Sequence, residues 1–172
     1  PAVIGGAVAS TNVLLLPLAV PILPPEGVVR YQEFLGLGPT TGENHEMGAL
    51  PQHFADRFGW PELATAVSEA WLDLSEEERR HAVIVTANYG EAGAIDRFGP
   101  ALGLPPAASQ HNNYYLWGPG KPLDEVEAVL AVGFSREDLE DTFADVRPAG
   151  RIENRWVMPY ETGDILWIAR RP

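Results

Sequence analysis

The stretch that decides the fold runs from Ala82 to Gly118 and reads AVIVTANYGEAGAIDRFGPALGLPPAASQHNNYYLWG. An apolar, β-branched run over residues 82–87 leads into a small polar turn, a helical pattern over residues 92–102 follows, and a second short run lies at residues 107–109. Strand, helix and strand in this order predict a right-handed crossover between two parallel strands. The loops that follow the two strands are therefore expected at one edge of a sheet, where open α/β sheets bind their ligands.

The remaining elements are predicted from hydrophobic periodicity and capping signals. Helices are predicted at residues 26–37, 61–74, 76–81 and 136–146, and strands at residues 126–132, 151–157 and 164–170, the last of these at or next to an edge. Strands separated by short helices indicate an α/β fold. We predict a three-layer sandwich that is Rossmann-like, with a mostly parallel sheet covered on both faces.

Composition limits the class of protein. The chain has 172 residues and a net charge of −12, and its twelve basic residues, eleven Arg and one Lys, are scattered. A nucleic-acid partner is not expected, because phosphate binding needs clustered Lys and Arg. The absence of cysteine excludes disulfides and thiolate metal sites. The length predicts a single α/β domain over residues 26–172.

The first 25 residues contain no ionisable side chain. Within them, Val13 to Leu23 is apolar throughout, although Pro17 and Pro21 interrupt the run. A spanning helix needs about 20 apolar residues, and a signal peptide needs a basic start that is missing here. Two interpretations of residues 1–25 follow: a membrane-proximal segment, or a buried, strand-like segment of the fold.

The first candidate ligand-binding loop contains Asn88, Tyr89 and Glu91. Gly90 permits a tight turn, and the free backbone N–H groups at a helix start can hold an anion or a carbonyl oxygen. Glu91 is expected to be a carboxylate that the helix dipole stabilises. In the alternative interpretation the loop binds no ligand, and stabilising the helix is the only role of Glu91. The spacing of glycines fits neither a phosphate loop nor a dinucleotide fingerprint, so no cofactor is predicted.

The second candidate loop contains His111, Asn112, Tyr114 and Trp117. A histidine beside amides can position or deprotonate a hydroxyl group, and aromatic rings can stack on a sugar. The alternative is that the rings belong to the core and that the asparagines only form the turn.

A metal site is not predicted. The chain has four histidines, and the spacing of His45 and His53 matches no known ligand pattern. The carboxylates considered as oxygen ligands are Glu43, Glu46 and Asp56.

Three blocks carry a resemblance to a known family. They are LPLAVPILPPEGVVRYQEFLGL (Leu16 to Leu37), ENHEMGALPQHFADRFGW (Glu43 to Trp60) and NYGEAGAIDRFGPALGLPPAASQHNNYYLWG (Asn88 to Gly118). Together they resemble the C-terminal region of bacterial family 39 glycosyltransferases, membrane proteins of the GT-C type that are similar to the dolichyl-phosphate-mannose–protein mannosyltransferases. In that family a multi-spanning membrane domain is followed by a soluble α/β domain outside the cytoplasm.

The resemblance implies an accessory role. The catalytic carboxylate of GT-C enzymes lies in an early extracytoplasmic loop, and nothing in this chain corresponds to it. The chain is therefore expected to be the extracytoplasmic C-terminal domain of a cell-membrane enzyme that transfers a sugar, such as mannose, from a polyprenyl phosphate. Its expected partners are the membrane-embedded catalytic domain of the same polypeptide and a glycan or lipid-linked sugar. The alternatives are a free-standing enzyme with Glu91 and His111 as an acid/base pair, and a non-catalytic protein-interaction adaptor.

Overall fold

A computed structural model describes residues 2–39 and 46–172. The chain forms two compact units. The first comprises Pro1–Phe58 and Trp156–Pro159, and the second comprises Gly59–Arg155 and Tyr160–Pro172.

The helices described in the first unit are α1 (Ala2–Ala19), α2 (Pro25–Leu35) and α3 (Gln52–Ala55). Helix α2 begins with proline at its first position and ends at Gly36, whose φ of 66° is the left-handed conformation that glycine adopts readily. The core of this unit includes Val28, Leu50 and Met158, each at most 1% exposed.

Helix α1 corrects one interpretation of the N-terminal segment. Residues 2–19 are helical, and most of their described side chains are exposed, so they do not form a buried strand-like segment. Within the described residues, no helix combines the length and the apolar character that crossing a membrane requires.

The second unit contains the sheet. Its helices are α4 (Trp60–Leu72), α5 (Glu76–His81), α6 (Tyr89–Phe98) and α7 (Arg136–Glu140). Its strands are β1 (Ala82–Thr86), β2 (Ala107–Ser109), β3 (Ala128–Val132), β4 (Asp145–Arg151) and β5 (Ile165–Arg170). Three short 3₁₀ turns lie at Gly99–Leu102, Asn112–Leu116 and Leu123–Glu125.

The sheet is mixed, with the strand order β2-β1-β3-β5-β4. Strand β1 is parallel to β2 and β3, whereas β5 is antiparallel to β3 and β4. The predicted α/β class is confirmed, and the prediction of a mostly parallel sheet is wrong. Residues 152–164 connect β4 to β5 without a helix, and a parallel pair needs a crossover connection that is usually helical. Strand β5 therefore turns back and pairs between β3 and β4.

The boundaries of the second half of the sheet also differ from those predicted. The helix predicted at residues 136–146 ends at Glu140, and the strand predicted at residues 151–157 lies instead at Asp145–Arg151. Strand β5 agrees with the prediction for residues 164–170, since it is the strand next to the β4 edge.

Side chains alternate between the two faces of the sheet, as the pleat requires. On one face, Ile84, Leu130 and Leu166 pack in a core with residues of α4 and α6. On the other face, Val129 and Ala169 pack in a smaller core with Leu139 of α7. The helices on the first face position the loops that follow β1 and β2.

Candidate functional site

The two candidate loops leave the same edge of the sheet. Strands β1 and β2 are parallel and in register, with Thr86 opposite Ser109, so both chains leave the sheet at neighbouring points. The ring of Tyr89 in the first loop contacts the ring of His111 in the second, edge to face, with 5.1 Å between centroids. The shared edge expected from the βαβ pattern is therefore present, and it brings the two groups of candidate residues together.

Asn88 and Glu91 form the turn of the first loop. Asn88 Oδ1 accepts a hydrogen bond from the Glu91 backbone N–H at 3.0 Å, and Glu91 Oε2 accepts one from the Asn88 N–H at 3.2 Å. This reciprocal capping box starts helix α6. The Thr86 hydroxyl donates to the Asn88 carbonyl at 2.8 Å and ties the turn to the end of β1.

The Glu91 carboxyl group is buried, with 9% of the residue exposed. The pKa of this carboxyl is raised from 4.5 to about 7, chiefly by burial and in smaller part by the charges of Asp164 and Glu161, while backbone N–H groups at Asn88 and Ala87 act in the opposite direction. The prediction that the helix start stabilises Glu91 as a carboxylate is therefore wrong. The loss of water around the buried carboxyl outweighs the stabilising effect of the helix dipole. A carboxyl with a pKa near neutrality can take up and release a proton at physiological pH.

Glu91 lies where the strand order reverses. The chain passes from β1 to β2 on one side, and β3 pairs with β1 on the other side. The carboxylate lies over Gly133, which directly follows β3: a Cβ atom built there would be 2.6 Å from Glu91 Oε1. The carboxyl ends of strands at such a reversal form the usual ligand crevice of open α/β sheets.

The second loop is exposed and folded into a single 3₁₀ turn, Asn112–Leu116. The His111 N–H donates to the Ser109 hydroxyl at 3.2 Å, which ties the loop to the end of β2. Among the described residues, Asn112 is the only non-glycine residue with a positive φ, at 53°, a conformation that asparagine tolerates. The side chains of His111, Asn112 and Trp117 are exposed, and Tyr114 is half-buried.

Tyr114 attaches the second loop to helix α6. Its hydroxyl donates to Asp96 Oδ2 at 3.1 Å, and the other oxygen of Asp96 accepts from the Ala107 N–H at 2.9 Å. The Trp117 ring meets the Tyr114 ring edge to face, with 4.6 Å between centroids. Burial, together with the nearby Asp96 charge, raises the pKa of Tyr114, which keeps its hydroxyl a donor.

Sequence reasoning missed three residues of this edge: Asp96, Gly133 and Asp164. Gly133 offers a weak signal, since a glycine directly after a buried strand often marks a close approach. Asp164 precedes an antiparallel strand, so its place at this edge depends on the unexpected direction of β5. Asp96 gives no local signal, because its partners lie 11 and 18 residues along the chain.

The described histidines do not converge on a metal site. In the described part of the chain, no three His, Asp or Glu side chains form a group that could hold a metal ion. His53 Nε2 lies 3.0 Å from the Leu18 carbonyl oxygen, a contact within the first unit. Glu43 and His45 lie outside the described residues.

Comparisons with models of protein families, with curated proteins and with solved structures found no match. The resemblance to family 39 glycosyltransferases therefore stays a prediction.

Proposed function

We propose that this chain is an accessory, extracytoplasmic domain of a membrane glycosyltransferase that uses a polyprenyl-phosphate sugar. In this proposal the edge formed by the loops after β1 and β2 binds a carbohydrate, either the acceptor glycan or the sugar of the lipid-linked donor. The catalytic carboxylate belongs to a membrane-embedded domain of the same polypeptide, where the lipid phosphate leaves as the sugar is transferred. No catalytic residue is assigned within this chain.

The observation that carries the proposal is the set of exposed aromatic rings at this edge. Tyr89 is 53% exposed, Tyr115 66% and Trp117 68%. Large exposed rings are costly to leave in water and usually mark a binding surface. Flat aromatic faces beside the polar groups of His111 and Asn112 suit a sugar, which offers both apolar C–H faces and hydroxyl groups.

The strand order around β1 supports a ligand-binding role at the same place. The parallel strands follow the order β2-β1-β3, and doubly wound sheets of the order 2-1-3-4-5 bind their ligand between the first and third strands. In this proposal Asn88 and Glu91 shape the crevice, because both side chains are engaged in the capping box that starts α6.

Helix α1 supports attachment to a membrane enzyme. Residues 1–25 lack charge, and the exposed apolar side chains of α1 include Val3 at 86%, Ile4 at 71% and Val13 at 72%. The polar side chains of α1, Ser10, Thr11 and Asn12, are consecutive and form no continuous polar face, and a helix without such a face favours apolar surroundings. We propose that α1 lies against the lipid or the membrane-embedded domain of the enzyme.

Titration of the 172-residue chain with mannotriose and with a short-chain mannosyl phosphoryl polyprenol tests the carbohydrate site. We expect binding that Trp117→Ala weakens at least tenfold. The matched control is Leu116→Ala, which removes a neighbouring side chain of equal exposure, 68%, but no ring. Equal losses in the two variants, or no binding by the unmodified chain to either probe, would refute the carbohydrate site.

Vesicle flotation tests the membrane contact. Unmodified chain is expected to float with phosphatidylglycerol-phosphatidylcholine vesicles, and Ile4→Glu to remain in the aqueous fraction. Leu123→Glu serves as the control, because Leu123 is 67% exposed but lies outside α1. Flotation that Ile4→Glu leaves unchanged would contradict the role of α1.

A second candidate function is supported by the near-neutral pKa of Glu91. In that alternative Glu91 and His111 act as an acid/base pair in an enzyme with its own activity. Glu91→Gln would then abolish turnover of a glycoside substrate while leaving mannotriose binding intact. If Glu91→Gln keeps both turnover and mannotriose binding, this alternative is excluded.

A further inference from the structure

We infer that Asp96 is a positioning residue that holds Trp117 in the orientation needed to stack on a carbohydrate. This inference rests on the proposed function of the edge, and it assigns a role to a side chain that does not itself belong to the exposed surface. Asp96 acts through Tyr114, which is half-buried and lies between Asp96 and Trp117.

The first step of the argument concerns how Asp96 is held. It belongs to α6, which packs on the sheet, and its Oδ1 accepts the backbone N–H of Ala107, the first residue of β2, at 2.9 Å. The carboxylate is therefore fixed between a helix and a strand. Sites supported by helices and strands keep their geometry better than sites supported by loops alone.

The second step concerns Tyr114. Its hydroxyl donates to the second oxygen of Asp96 at 3.1 Å, and it also lies close to the surface of α6, since a Cβ atom built on Gly93 would be 3.6 Å away. A hydrogen bond to a charged acceptor is stronger than one between neutral groups. The ring of Tyr114 therefore has one preferred orientation.

The third step concerns Trp117. Its backbone N–H donates to the Tyr114 carbonyl at 3.0 Å, and its ring meets the Tyr114 ring at 85°, the edge-to-face arrangement that aromatic pairs favour. The chain turns away directly afterwards at Gly118, whose φ is 63°. Trp117 thus contacts the rigid part of the molecule through Tyr114, while 68% of it stays exposed.

The consequence concerns the free energy of binding. An exposed indole that is already oriented loses less rotational freedom when a sugar stacks on it than an indole that is free to turn. Removing either the Asp96 carboxylate, as in Asp96→Ala, or the Tyr114 hydroxyl should release the ring without removing any atom of Trp117. Both changes should weaken binding, and the two together should weaken it no further than Asp96→Ala alone, because each breaks the hydrogen bond between Tyr114 and Asp96.

The experiment uses the 172-residue chain labelled with 5-fluorotryptophan. Five tryptophans give five ¹⁹F resonances, and Trp117→Phe identifies the resonance of residue 117. We compare Tyr114→Phe, Asp96→Ala and the double variant, and Tyr115→Phe is the control for the Trp117 resonance alone, since it removes a hydroxyl from a neighbouring ring that is 66% exposed. Affinity for mannotriose and the urea midpoint are measured on the same samples.

We expect the Trp117 resonance to move toward the value of the unfolded chain in Tyr114→Phe and Asp96→Ala, and to stay in place in Tyr115→Phe. Mannotriose affinity should fall about fivefold in both variants and in the double variant, about what it costs to order one side chain on binding. An unmoved Trp117 resonance in both single variants overturns the inference. If the unmodified chain binds no sugar, the proposed function fails, while the resonance still decides whether Asp96 positions Trp117.

Discussion

The carboxylate of Glu91 lies against the backbone of Gly133, at the point where β1 and β3 end side by side. A Cβ atom at position 133 would be 2.6 Å from Oε1 and 2.9 Å from Oε2 of Glu91. Gly133 also has a φ of 74°, which other residues rarely adopt. The buried carboxyl group therefore occupies space that is present only because residue 133 has no side chain.

Replacement of Gly133 by alanine tests this relationship. Gly133→Ala is expected to lower the free energy of unfolding by about 2–4 kcal/mol, from positive-φ strain and from the overlap with Glu91 and with the Cβ of Ala87. Gly103→Ala provides a matched control, because Gly103 has a φ of 77° but has nothing within 4 Å of a built Cβ. The control should lose about 1 kcal/mol in urea denaturation. Similar losses in the two variants would show that the side chains around position 133, Glu91 among them, leave room for a methyl group.

The pH dependence of stability tests the protonation of Glu91. Its pKa is raised from 4.5 to about 7 in the folded chain, so between these values the folded state binds more protons than the unfolded state. The contribution of Glu91 to the free energy of unfolding therefore falls as pH rises from 4.5 to 7, by at most about 3 kcal/mol. Asp164, whose pKa burial also raises, contributes in the same direction.

Glu91→Gln should remove most of that slope, because glutamine does not titrate. The measurement is urea unfolding at closely spaced pH values from 4 to 8, with the exposed Glu62→Gln as the control. A slope in Glu91→Gln equal to that of the unmodified chain would contradict the assignment.

An ion pair at the other end of β5 gives a prediction of opposite sign. Arg170 Nη2 lies 2.7 Å from Glu78 Oε1, and Arg170 Nη1 lies 3.3 Å from Asp145 Oδ2. The N–H and hydroxyl of Ser75, together with Arg170, lower the pKa of Glu78 from 4.5 to about 2. The stabilising contribution of Glu78 is therefore present above pH 4.5 and is lost as pH falls through 2.

Glu78→Gln should cost about 1 kcal/mol at pH 7, since the pair is partly exposed and is screened by solvent. Glutamine can still complete the capping box with Ser75, so the variant isolates the charge. Glu77→Gln is the control, because Glu77 pairs with Arg80 at the surface with 72% of its side chain exposed. Thermal unfolding at low and high salt measures both, and a loss in Glu77→Gln as large as in Glu78→Gln would contradict the prediction.

Tyr31 holds the C-terminal part of α1 within the first unit. Its hydroxyl donates to the Leu14 carbonyl at 2.6 Å, and Leu18 packs at the edge of that unit's core. Tyr31→Phe should lower the local stability of this part of α1 by about 1 kcal/mol, the usual net value of one hydrogen bond. Amide hydrogen exchange of residues 13–19 provides the measurement. Unchanged exchange, with Tyr115→Phe as the reference, would show that the hydroxyl contributes nothing.

Local signals predicted part of the fold correctly. The apolar stripe that contains Leu63, Val67 and Trp71 marks the buried face of α4, and Ser75 with Glu78 marks the capping box of α5. The apolar runs at β1 and β2, separated by a helix, predicted their parallel pairing. These features depend on residues a few positions apart, where periodicity and capping chemistry act directly.

Such local signals did not predict the second half of the sheet. Residues 141–146 continue an apparently helical pattern after α7, yet the chain becomes extended and pairs with β5 from Asp145 onward. The pairing partner of Asp145 is Arg170, 25 residues away, and a strand's preference depends mainly on such neighbours. The direction of β5 follows from the same distant contacts.

The order of the elements, the caps of α5 and α6 and the common edge of the two candidate loops follow from the amino-acid order, since each arises among residues close along the chain. The raised pKa of Glu91 and the hydrogen bond from Tyr114 to Asp96 arise only once the chain has folded. Gly133 and Asp164 reach Glu91 through pairing of β3 with β1 and β5, and burial there removes the water that would otherwise keep the carboxyl charged.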